Sequence, residues 1–287
     1  MQLAYSTWGM QKVGIDEAVA HCAALGFDGL ELTVQPPWPT DAAHLDAAER
    51  RRIRRLYDDH GIALCGLSGN VHLLGEDREQ IERELDTYRS YLDLAAELQR
   101  PGQQLTVSTV SGGRKDEWDT RKDELVDYYG RFAEHAASIG VKATAEPHVG
   151  GALHLPDQVI WLVEQVNSPA FGIHFDISHF NVEGLDMEEV VAQLAPISGH
   201  THIKDERGVE PDYQFLIPGE GDMDYVRYLR AMERAGYDGF ITIEISVMVQ
   251  RRPDYDALAA ATQSYRVVSR AFEEAGISRE REAGAAS

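Results

Sequence analysis

The chain has 287 residues, 43% hydrophobic and 26% charged, the balance of a folded globular protein and not of a disordered one. Its 27 basic and 48 acidic residues leave a net charge of −21, which argues against nucleic-acid and anionic-membrane partners. Cys22 and Cys65 stand far apart and form no CxxC pair, which excludes a zinc ribbon or thioredoxin-type motif and suits a reducing compartment.

The opening MQLAYSTWGM has no basic n-region and no apolar h-region, so no signal peptide is expected. No apolar run approaches the roughly 18 residues of a membrane span. The expectation is a cytoplasmic protein. From there, short β-like runs alternate with longer helical stretches. The predicted pairs are strand 2–7 with helix 13–25, 28–34 with 43–60, 62–68 with 77–99, and 103–109 with 118–139. They continue as 141–148 with 155–166, 171–177 with 186–194, 198–204 with 223–235, and 239–247 with 255–274. Eight strand–helix units in series predict parallel strands with crossover helices, closing as one α/β domain, a (β/α)8 TIM barrel. The barrel is expected over 1–275, with 276–287 as a flexible tail. Gly26, Gly61, Gly140 and Gly236 follow predicted helices, where a left-handed residue is wanted. The joints ALGFDGLEL and RAGYDGFITIE open the second and eighth strands alike.

Side chains alternate along a strand, so each strand divides into an outward and an inward set. On the last four strands the apolar residues Ala143, Ala145, Ile173, Phe175, Ile203, Ile241, Ile243 and Ile245 fall on the outward set. The inward set then holds Thr144, Glu146, His148, His174, Asp176, His200, His202, Lys204, Thr242, Glu244 and Ser246. Ionisable groups converge near the C-terminal strand ends, where active sites of this architecture sit. Of 11 histidines, His148, His154, His174, His179, His200 and His202 crowd into one stretch of the chain. His174 and His200, one layer deeper than Asp176 and His202, read as core histidines.

Glu146, Asp176, His202 and Glu244 sit on four successive predicted strands at matching depth and form an O,O,O,N donor set. Converging carboxylates repel one another unless a cation stands between them. One divalent ion is expected there, Mn²⁺ first, with Mg²⁺, Co²⁺ and Zn²⁺ compatible. The competing arrangement is a carboxylate–Lys–His network neutralised by Lys204 and Lys142.

The segments AEPH (145–148), DISH (176–179), HTHIKD (200–205), PGEG (218–221) and GFITIE (239–244), with YSTW (5–8) and FDGLEL (27–32), occur in this order. With them the chain resembles the xylose isomerase-like barrels, the broad sugar-phosphate isomerase and epimerase family, over about residues 1–275. That family includes ketose 3-epimerases, hydroxypyruvate isomerase, inosose dehydratase and 3-dehydroshikimate dehydratase. The resemblance implies that Glu146, Asp176, His202 and Glu244 hold a single metal ion. It implies that Glu146 and Glu244 also transfer protons on opposite faces of the substrate, and that His179 contacts substrate. Arg207 lies one position from a substrate-binding arginine of the epimerases. Ala152 stands where those enzymes carry a second glutamate, and His148 is expected to take over as catalytic base or orienting group.

The expected reaction is isomerisation or epimerisation of a sugar or keto-sugar, by proton abstraction next to a carbonyl through a metal-stabilised enediolate. A lyase on the same scaffold, a dehydratase of an inosose or keto acid, is the second reading. A non-catalytic binding barrel is the third. A nuclease resembling endonuclease IV is disfavoured by the −21 charge and by a fourth strand, LTVSTVSGG, that offers no histidine. Lys204, Glu31 and His72 are further candidate substrate-binding residues. Trp8, Trp38 and Phe180 are candidate pocket walls, and 34–39 a rigid loop at the mouth. The basic run 49–55 reads as the solvated face of a helix. The expected partner is an unphosphorylated small-molecule carbohydrate, with no nucleic acid and no membrane. Assembly as a homo-oligomer is left open.

Overall fold

The computed structural model describes residues 1–279. Its first half runs β1 (Gln2–Ser6), α1 (Ile15–Leu25), β2 (Gly29–Thr33), α2 (Ala47–His60), β3 (Ala63–Ser68), α3 (Arg78–Leu98), β4 (Thr106–Val110) and α4 (Trp118–Ile139). The second half runs β5 (Lys142–Glu146), α5 (Pro156–Val166), β6 (Phe171–Asp176), α6 (Ile177–Val182), α7 (Met187–Leu194), β7 (Ser198–Ile203), β8 (Asp205–Val209) and β9 (Asp212–Leu216). It ends with α8 (Tyr225–Arg234), β10 (Phe240–Ile243), α9 (Val247–Gln250) and α10 (Ala257–Ala275). Eight strands close into one parallel barrel in the order β1-β10-β7-β6-β5-β4-β3-β2. The expected (β/α)8 architecture is therefore the one observed.

Burial explains why these segments take these forms. The outward residues Leu3, Ile173, Phe175, Ile203, Ile241 and Ile243 are wholly buried under the helical layer. On α3 the buried Ile81, Leu85, Tyr88, Leu92 and Ala95 recur at intervals of three and four, a single apolar stripe laid on the barrel. On α2 only Ile53 and Tyr57 are buried, and Arg52 of the basic run pairs outward with Asp16 at 2.6 Å and Glu49 at 2.7 Å. Gly26 closes α1 at φ 98°, and its amide returns to the carbonyls of Cys22 and Ala23. A side chain there would strain the left-handed turn that leads into β2.

Several features depart from the sequence expectation. β6 stops at Asp176, whose Oδ1 accepts the Ser178 amide at 3.0 Å and starts α6 at once. With six residues, α6 is too short to show a helical period. After β7 the chain makes an antiparallel hairpin, β8 paired with β9, where a loop was expected. The fourth strand begins at Thr106 because Gln103 closes a turn onto the Arg100 carbonyl and sends Nε2 to the Leu64 carbonyl at 2.8 Å.

α10 ends at Ala275, yet Ile277 is buried and Arg279 donates to the Gly26 carbonyl at 3.2 Å, so packing continues past the expected boundary. Residues 280–287 of the expected tail lie outside the described residues. Among the described residues no helix is long and apolar enough to cross a membrane.

Candidate active site

Glu146 ends β5, Asp176 ends β6, His202 lies near the end of β7, and Glu244 follows β10. Asp176 stands in register with His202, and His202 with Thr242, so the inward sets of neighbouring strands meet at one level. Their outward neighbours, apolar apart from Thr201, are buried beneath helices, which leaves the ionisable residues facing the barrel axis. Donor atoms of Glu146, Asp176 and His202 all lie within 4.8 Å of one another. Glu244 faces the same space but stands further off, with Oε1 3.7 Å from His202 Nδ1. Its other oxygen pairs with Lys204, whose ammonium also pairs with Asp176.

Lys204 is thus the buried counter-charge of this cluster. Lys142 is not, because it opens β5, four residues and about 13 Å along the strand from Glu146. Burial alone would raise the Asp176 carboxyl, but Lys204, His179 and His202 outweigh it and hold the group well below the usual range. Burial pushes the Glu146 and Glu244 carboxyls up, against the opposing pull of Lys204 and His202. For His202 burial works downward, yet Glu31 and Glu244 push its pKa up to about 9. His202 Nδ1 is buried without a hydrogen-bond partner among the described residues and faces carboxylates. An orphaned imidazole nitrogen beside three carboxylates fits a hard or borderline divalent cation.

Beneath this level Glu31 takes part in a deeper layer. Ser6 Oγ donates to its Oε1 at 2.5 Å, and His202 Nε2 and His200 Nε2 lie 3.0 Å and 3.1 Å from the carboxylate. Glu31, expected as a substrate-binding residue, is fully buried and absent from the pocket wall. Burial would raise its carboxyl, but His202 and His200 hold it well below the usual range.

Above the cluster opens a pocket of about 420 Å³. Trp8, Phe215, His148, His179, Asn70 and Ser246 contribute to its wall, with the glycine pairs 112–113 and 150–151. Trp8 is braced by Trp38, stacked at 4.5 Å between ring centroids. His148 is open to solvent at the mouth. Its Nδ1 donates to the Val149 carbonyl at 2.7 Å, which leaves Nε2 as the basic nitrogen. Its ring lies 4.0 Å from that of His179, whose Nε2 approaches Asp176 at 3.5 Å and Glu146 at 3.7 Å. Burial pushes the His179 pKa down to about 3, so that ring is neutral.

Other expected contacts fall elsewhere. Arg207 is exposed on the hairpin, donates to the Glu220 carbonyl at 2.7 Å, and is absent from this wall. His72 is exposed beside Gly112, outside the wall. Phe180 is wholly buried and absent from this wall, because α6 turns it into the core against Phe175. The aromatic that lines the pocket on this side is Phe215 of β9. Its only sequence signal was the alternation of Tyr213, Gln214 and Phe215, hidden in a stretch read as loop. Ala152 is wholly buried, with no carboxylate there to act.

Glu206 carries a pH prediction. It accepts the Asn181 amide at 2.6 Å, its Oε2 is buried without a hydrogen-bond partner among the described residues, and burial pushes its pKa up to about 8. An unfolded glutamate titrates near about 4.3. Between these values the folded chain keeps a proton that the unfolded chain releases. The stability this confers is full below the lower value and lost as pH rises through the upper one. Urea unfolding should therefore show stability falling from pH 5 to pH 8, with Glu206→Gln flattening that fall. Parallel profiles for the two proteins would contradict it.

The family model for the xylose isomerase-like TIM barrel matches residues 19–266. Fructoselysine 3-epimerase of Escherichia coli O157:H7 is 25% identical over 263 residues, covering 88% of this chain and 93% of its own. Inosose dehydratase of Geobacillus kaustophilus is 22% identical over 259 residues, covering 80% of this chain and 79% of its own. The crystal structure of the IolI protein with a bound zinc atom superposes with a TM-score of 0.79 at 19% identity, covering 96% of this chain and 99% of that one.

Proposed function

This chain belongs to the xylose isomerase-like TIM barrel family, and from that membership we propose that it is a divalent-metal-dependent isomerase or epimerase of a sugar or keto-sugar. The observation that carries the reading is the convergence of Glu146, Asp176 and His202, with Glu244 beside them, where Glu146 and Glu244 line an open pocket and Asp176 and His202 lie buried against them. The similarity to an epimerase and a dehydratase of sugar-like substrates supports it. Glu146, Asp176, His202 and Glu244 would hold one ion, Mn²⁺ by preference, which supplies Lewis-acid polarisation of a substrate carbonyl.

The chain's own residues do the rest. Glu146 and Glu244 belong to strands three positions apart around the barrel, so they approach a bound substrate from different sides. Carboxyls raised by burial are better matched to moving a proton near neutral pH than ordinary ones. One takes the proton next to the carbonyl and the other returns one. His148 Nε2, at the mouth, serves as the additional base or orienting group in place of the carboxylate that Ala152 lacks. Trp8 and Phe215 offer ring faces to the sugar. Lys204 is the one Lys or Arg among the pocket-lining residues, and it is committed to Asp176 and Glu244. A neutral carbohydrate therefore fits better than a phosphorylated one. Elimination of a β-hydroxyl after the same proton abstraction is the second reading, supported by the similarity to an inosose dehydratase.

The test combines metal content with a panel of ketoses, keto-inositols and keto-sugars. Elemental analysis should find about one divalent ion per chain. Turnover of at least one panel member should vanish on chelation and return with Mn²⁺. Turnover that survives complete chelation would remove the metal from the mechanism.

A further inference from the structure

We infer that Glu31 is a positioning residue: it holds His202 with its Nε2 proton directed down into the barrel, so that Nδ1 is aimed up at Glu146, Asp176 and Glu244. The inference rests on the metal site proposed above. A histidine that binds an ion through one ring nitrogen needs an acceptor for the proton on the other, and that acceptor sets both the tautomer and the ring angle.

His202 Nε2 lies 3.0 Å and 3.1 Å from the two oxygens of Glu31. Its Nδ1, at the other side of the ring, has no hydrogen-bond partner among the described residues and stands 3.7 Å from Glu244 Oε1. Glu31 is itself held from two directions. Ser6, its register partner on β1, donates to Oε1 at 2.5 Å, and His200 Nε2 lies 3.1 Å from Oε2. On its other side the β2–β3 register slips opposite Glu31, between Leu30 and Leu32, an irregularity of the kind that re-aims side chains near active sites. Fully buried and absent from the pocket wall, Glu31 acts through His202 and not on substrate.

A rival arrangement uses the same residues. Glu31, His174, His200 and His202 also bring donor atoms within 4.8 Å of one another, and both His174 nitrogens are buried without hydrogen-bond partners among the described residues. An ion of their own would need His202 Nε2 deprotonated. The positioning role needs it protonated, and this separates the two.

The experiment uses the full chain labelled with ¹⁵N-histidine, metal-free and loaded with Zn²⁺, together with calorimetric titration by Mn²⁺. Long-range ¹H–¹⁵N spectra should show a solvent-protected Nε2 proton on His202 in both states. Glu31→Gln, which keeps the shape and removes the charge, should lose that protection and bind Mn²⁺ about 10–100-fold more weakly. Glu31→Asp should recover part of the affinity. Should Glu31→Gln not fold, Ser6→Ala tests the same link through a smaller loss. A His202 Nε2 without a proton, two ions per chain, or a Glu31→Gln affinity within about threefold of the parent would overturn the inference. Failure of the underlying site has a separate signature. Glu146→Gln binding Mn²⁺ like the parent sinks the site and the inference together, whereas loss in Glu146→Gln with none in Glu31→Gln sinks the inference alone.

Discussion

Glu146→Gln should lower turnover by about 10²–10⁴-fold, the range lost when a positioned acid or base is removed. The amide preserves the volume of a residue that is 6% exposed, so the fold should survive. On the proposed mechanism, what disappears is a negative charge shared between two duties, holding a cation and accepting a proton. Because the second duty is exercised during reaction, the loss should appear mainly in kcat and persist at saturating Mn²⁺. A variant that regains activity as Mn²⁺ is raised would reduce Glu146 to a ligand. One within about fivefold of the parent in all conditions would remove it from the chemistry.

Lys204→Met should destabilise the metal-free protein by about 3–5 kcal/mol, the usual cost of stripping one partner from a buried ion pair. Lys204 is 3% exposed, and its ammonium pairs with both Asp176 and Glu244. Without it those carboxylates face Glu146 with no buried lysine between them. The same change leaves the cluster short of a cation, so added Mn²⁺ should restore more stability to the variant than to the parent. At a hundredfold excess over Kd, binding contributes about 2.7 kcal/mol. Urea unfolding in chelator and in Mn²⁺ reads both effects. Equal stability of variant and parent in chelator would show that Lys204 is not the counter-charge.

The barrel was legible because its strands carry unambiguous alternation. In Ile241, Ile243 and Ile245 against Thr242, Glu244 and Ser246, the apolar set can only go under helices. The same alternation directs Glu146, Asp176 and His202 toward one axis, and they meet there. Alternation reports the face of a strand but not the height at which its side chain ends. That height depends on strand tilt and stagger around the barrel. Glu31 was correctly read as inward, yet its height puts it below the pocket and against His202. The choice of Lys204 over Lys142 as counter-charge is likewise a matter of height.

The hairpin of β8 and β9 was hidden for a different reason. Its strands are five residues each, and Arg207, Gly208 and Asp212 dilute any apolar signal. Losing the hairpin meant losing Phe215 from the pocket wall and missing that Arg207 sits exposed on a β-hairpin. His148 was legible only as an inward residue after Glu146. The carbonyl that fixes its protonated nitrogen comes from the backbone of its own loop, which side-chain patterning does not encode.

Proton transfer next to a carbonyl is the centre of this account, and solvent deuterium reads it directly. The Mn²⁺-loaded protein would be incubated in D₂O with whichever ketose or keto-sugar it turns over, and substrate and product followed by NMR. Proton exchange through Glu146 and Glu244 predicts deuterium at the carbon adjacent to the carbonyl, with its rate collapsing in Glu146→Gln. Product formed with that carbon fully protiated would mean a direct hydride shift, and the two-carboxylate mechanism would be wrong.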